Sequence, residues 1–91
     1  MRYYRPVDVW IRQSERTVAR YRCLEVFPER QFCVQSKDFY HAPFREVDSL
    51  QLDRQFIELL AEVPPESRSD LFGTVEEAIR AHDRSFEDDS E

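Results

Sequence analysis

The sequence predicts an α+β domain: a three-stranded antiparallel β-meander followed by two α-helices packed on one face of the sheet, in the order β-β-β-α-α. Three observations lead there. The hydrophobic period is close to two over the first half and becomes helical from about residue 48. Charge divides at nearly the same place. Residues 1–45 hold nine Lys and Arg against five Asp and Glu, a balance of +4, and residues 46–91 hold four against fourteen, a balance of −10. Finally, a run of strands followed by a run of helices excludes a doubly wound parallel sheet.

The first strand is expected around Val7–Ile11, where Val7, Val9 and Ile11 alternate with Asp8 and Trp10 and Pro6 stands at the start. Gln13–Arg16 is polar and turn-like, and Thr17–Phe27 reads as a second strand rich in Val, Tyr, Cys and Phe. A third follows over Phe32–Tyr40, joined by Pro28-Glu29-Arg30-Gln31, with Pro28 suited to the first central position of a type I turn. Pairing Phe27 with Phe32 sets Cys23 opposite Ser36 and Cys33 opposite Val26, which leaves two free thiols on opposite faces. A bulge at the turn would bring them to one face, still diagonal to each other.

His41–Phe44 closes the sheet region, because Pro43 cannot sit in a central strand; a short fourth strand over Phe44–Val47 is the alternative. Asp48 with Gln51 three residues on offers a helix start. Leu52, Phe56, Leu59, Leu60 and Val63 then form one helical stripe that Pro64-Pro65 ends. Glu66–Asp70 is a polar connector with room for a helical turn. Thr74-Val75-Glu76-Glu77 is a capping box opening a second helix, with Val75, Ala78, Ile79, His82 and Phe86 on one face.

Ninety-one residues at 41% hydrophobic content make one domain, assigned to 1–86, and the self-repelling stretch 87–91 is expected to be a disordered acidic tail. A net charge of −6 disfavours general nucleic-acid binding, since a polyanion meets a repulsive field. No apolar run suggests a signal peptide or a membrane span. Two cysteines without Cys-x-x-Cys spacing point to a reducing cytoplasm rather than a disulfide framework. The second strand is the difficult element. Ala19, Tyr21 and Cys23 alternate with Arg20 and Arg22, then Leu24 and Val26 appear on the arginine side and Glu25 on the other. Either a bulge near Cys23 switches the phase or both faces are partly covered.

With one face under the helices, the other would present Trp10, Arg12, Arg20, Arg22, Gln35 and Lys37. Of these, Trp10, Arg12, Arg20, Arg22 and Lys37 are the candidate ligand-binding residues, since arginines around an aromatic platform can hold a phosphate, a carboxylate or a stacked base. The bland alternative is a charged sheet face turned to water. Other groupings carry less. Nothing suggests that Cys33 and His41 meet as nucleophile and base, and two histidines 41 residues apart make no metal site. A single glycine rules out the glycine-rich phosphate cradles, so neither cofactor nor metal is expected. Aromatics crowd the first half, more than one small core encloses. The expectation is a non-enzymatic protein-interaction module whose partner is another protein or a second copy in a homodimer; the alternative is a binder of an anionic ligand or single-stranded nucleic acid through the Arg/Trp face.

Overall fold

The computed structural model describes residues 2–89, the last four of these, 86–89, by backbone alone. Strands β1 (Tyr3–Ser14), β2 (Thr17–Phe27) and β3 (Gln31–His41) form an open antiparallel sheet in the order β1-β2-β3. Helices α1 (Glu46–Glu62), α2 (Pro65–Arg68) and α3 (Val75–Asp89) follow. The α+β class and the element order are those of the sequence pattern, with α2 as the helical turn of the connector. Helix α3 runs three residues into the stretch expected to form the tail; Ser90 and Glu91 lie outside the described residues, and so does the side chain of Phe86.

The β1–β2 ladder pairs Tyr3 with Phe27 and continues without a break to Arg12 and Val18. Strand β1 therefore passes straight through Pro6. The β2–β3 turn is displaced by one residue from the expected position, with the connection unchanged in length: Val26 pairs with Gln31, Glu25 with Phe32 and Leu24 with Cys33. Arg30, at φ 57°, folds the chain back so that its N–H donates to the Val26 carbonyl at 2.8 Å. Cys23 pairs with Val34 while Cys33 pairs with Leu24, so the thiols do lie on opposite faces, through a different register. Beyond Cys23 the register shifts by one, with Arg22 against Ser36, which makes Gln35 the extra residue of a bulge in β3.

The helices do not share one face. Tyr21 and Cys23 pack with Val34, Val7 and Val9 under Val75, Ala78 and Ile79 of α3. Leu24, Val26 and Cys33, which point the other way, pack with Tyr4 under Phe56 and Leu60 of α1. The expected single covered face is thus corrected to two, and the reason lies in β2. Its alternation is never interrupted, so its arginine side also carries Leu24 and Val26, which must be kept from water. Residues Tyr21–Val26 are buried throughout.

The chain crosses between the faces at the outer edge of β3. Phe72 pairs with Phe32, each N–H donating to the other's carbonyl at 2.8 and 2.7 Å. Leu71 joins the α1-side cluster and Phe72 the α3-side cluster, as alternate residues of an extended segment do. Pro64-Pro65 ends α1 as expected, and Pro65 then occupies the first turn of α2, where its missing N–H costs nothing. Asp48 is not the N-cap of α1. Arg45 is, and Asp48 sits in the first turn, 3.4 Å from the Arg45 guanidinium. At α3 the Glu77 N–H donates to the Thr74 hydroxyl at 3.1 Å, the expected cap.

Candidate functional site

Three of the five candidate residues come together. Trp10 pairs with Arg20 across β1–β2, and the Arg20 guanidinium lies 4.9 Å from the Trp10 ring and 5.4 Å from the Tyr40 ring. Arg22, next but one along β2, shares that face. Arg12 stands at its far end, paired with Val18 and exposed. Lys37 does not belong to this face. It pairs with Tyr21, on the α3 side, because the bulge at Gln35 moved its phase.

The arginine charge is met internally. Arg22 holds Asp38 through Nε and Asp53 through Nη2, both at 2.5 Å, and its ring neighbour is Phe56 at 5.1 Å. Arg20 reaches the same Asp53 at 3.2 Å and Asp8 at 3.8 Å. Burial disfavours the charged Arg22, yet hydrogen bonds to Asp53, Asp38 and Tyr40 outweigh it and raise its pKa. The same bond to Arg22 holds the Asp53 carboxyl below the ordinary range. Two guanidiniums facing three carboxylates form a clamp between β2 and α1. An incoming anion finds no uncompensated cation there.

A different feature opens at the outer edge of β3. Because α1 and α3 lie on opposite faces, a half-open cleft of about 910 Å³ is left along that edge. Val34 and Phe39 line it from β3, Leu59 from the α1 side, and His82 and Asp83 from α3. Among the described residues, the only backbone partner of β3's outer edge is Phe72, at Phe32. From Val34 onward the edge has no backbone partner among the described residues.

The polar groups of this cleft are specific. Arg68 donates to Gln35 Oε1 at 3.3 Å, which leaves the buried Gln35 Nε2 without a hydrogen-bond acceptor. The Lys37 ammonium rests 4.8 Å from the Tyr21 ring and 5.3 Å from the Phe39 ring. Among the described residues no carboxylate lies within ion-pair reach of Lys37 or Arg68. Deeper in, the Tyr21 hydroxyl donates to Asp83 at 2.8 Å, and burial raises its pKa. Burial lowers that of His82, whose ring meets Tyr21 edge-on at 5.9 Å.

Neither thiol is placed for chemistry. Both are buried, and burial pushes Cys23 up to about 12 and Cys33 upward as well. His41 bonds Thr17 at 3.1 Å, at the opposite end of β3 from Cys33. Among the described residues no group of three His, Cys, Asp or Glu side chains could hold a metal ion, and no helix is long and apolar enough to cross a membrane. Compared with known proteins, the chain matches no family model, no curated protein sequence and no solved structure. The sequence marked Gln35 and Lys37 as polar sheet positions, but nothing in it joined them to Leu59, Arg68 and Phe39. That grouping exists only because the helices fall on different faces.

Proposed function

We propose that this chain is a protein-interaction module without chemistry of its own, and that it docks an extended segment of another protein along the outer edge of β3. The observation that carries this reading is an unpaired strand edge, Val34 to Phe39, lying in a cleft between two helices. Added strands gain main-chain hydrogen bonds from such an edge and specificity from pockets that receive alternate side chains. Here one set would meet Leu59, Arg68 and Gln35, and the other Phe39, Lys37 and His82. The chain already uses this mode once, where Phe72 pairs with Phe32.

Lys37, Arg68 and the unsatisfied Gln35 amide favour a segment carrying a carboxylate. The overall charge of −6 argues against nucleic acid as the partner. Burial of both thiols argues against thiol catalysis, and free thiols fit a reducing compartment such as the cytoplasm. The test is an NMR titration with short extended peptides, with and without a central Glu. Expected are shifts at Val34–Phe39, Leu59 and His82, stronger for the acidic peptide and weakened by Lys37→Glu. Shifts confined to Trp10 and Arg20, or to the exposed Val47, Leu50 and Ile57 of α1, would overturn the assignment.

A further inference from the structure

The other edge of the sheet belongs to β1, and among the described residues no segment pairs with its backbone on that side. β1 spans 12 residues, β2 is the only strand paired with it among the described residues, and Trp10 and Ile11 are exposed. Long bare edges of this kind are templates for pairing. Which backbone groups point outward follows from the bonds at the opposite edge. Phe32 gives its N–H and C=O to Phe72, so Glu25, its neighbour in β2, turns its own groups toward Arg5 in β1. Residues 5, 7, 9 and 11 therefore bond inward. Tyr4, Asp8, Trp10 and Arg12 present N–H and C=O outward, and Pro6 presents only its carbonyl. This is also how Pro6 fits mid-strand, since its nitrogen faces away from the ladder.

We propose that β1 pairs antiparallel with β1 of a second copy of this chain about a two-fold axis at Trp10, joining two sheets into one of six strands. The register follows from charge. Placing Trp10 opposite Trp10 sets Asp8 against Arg12 of the second copy, and the symmetry repeats that pair. On the other face Val9 meets Ile11. Moving the axis to Val9 leaves Asp8 against Trp10 and Arg12 against Pro6, and moving it to Asp8 opposes two aspartates. Only the Trp10 axis pairs both charges with their opposites. About six backbone hydrogen bonds form between the outward groups before Pro6 interrupts the ladder at each end. Arg12, which has no ion pair among the described residues, gains a carboxylate.

The pairing concerns β1 and is independent of the β3 cleft. The experiment is sedimentation equilibrium of the full chain over a wide concentration range, with circular dichroism confirming the fold of each variant. The wild-type chain should show a monomer–dimer equilibrium. Arg12→Asp, which sets Asp8 against a second acid twice, should weaken the dimer about tenfold or more, as should Asp8→Arg. The double variant Asp8→Arg with Arg12→Asp restores both pairs and should return to within about threefold of wild type. Because Asp8 also lies 3.8 Å from Arg20, the comparison of Arg12→Asp with the double variant is the decisive one. A chain that stays monomeric at millimolar concentration, a dimer indifferent to Arg12→Asp, or a double variant no tighter than Arg12→Asp overturns the proposal.

Discussion

Truncating Leu24 tests the two-sided layering from which both the clamp and the cleft follow. Leu24 is 1% exposed and is packed by Val26, Cys33, Phe56 and Leu60, two of them from α1. Leu24→Ala removes three buried carbons and leaves a cavity that a sheet on one side and a helix on the other fill poorly. The expected loss is about 3 kcal/mol. With a urea slope of about 1.5 kcal/mol/M, the unfolding midpoint falls by about 2 M and the slope stays the same. Ile57→Ala is the control on the outer side of α1, where the side chain is 63% exposed, and should cost less than about 0.5 kcal/mol. Urea unfolding followed by circular dichroism reads both. Were Leu24 on a bare face, the two variants would match, and a Leu24→Ala loss below about 0.5 kcal/mol would refute α1's placement over β2.

The Arg22 clamp yields a second contrast: Asp38 is 11% exposed beside an Arg22 that is 7% exposed, whereas Asp53 is 48% exposed. Asp38→Ala should therefore cost about 3 kcal/mol, and Asp53→Ala no more than about 1 kcal/mol, in thermal unfolding; equal losses would show that Arg22 is not desolvated. Stability should also fall in mild acid. Burial holds the His82 pKa below its ordinary value, so the unfolded chain takes up the proton first. This contribution is complete above about pH 6.5 and is lost as pH drops from there toward the folded-state pKa. His82→Gln should flatten the stability profile in that window, and an unchanged slope would remove His82 as its source.

Much of the architecture was legible in local pattern. Alternation located the three strands, Pro64-Pro65 ended α1, and Thr74 with Glu77 marked the start of α3. Side-chain chemistry within a few residues decides those features. The ambiguous phase of β2 was also a true signal, since Leu24 and Val26 share the side of Arg20 and Arg22 because α1 covers that side as well. The β2–β3 register was not legible. A left-handed Arg30 and a bulged Gln35 shift the pairing at residues that carry no glycine or Asn-Gly signature, and the bulge sent Lys37 to the opposite face.

By itself the sequence determined the class of the domain, the order of its elements and the division between a cationic sheet and acidic helices, because periodicity and charge are properties of consecutive residues. Only the tertiary structure decided where the helices lie. It matched Arg22 with Asp38 and Asp53, sheltered one sheet edge and left the other bare, because these outcomes depend on contacts between residues far apart in the chain. A strand flanked by both faces must be closed from both sides, and no local pattern says which helix takes which face.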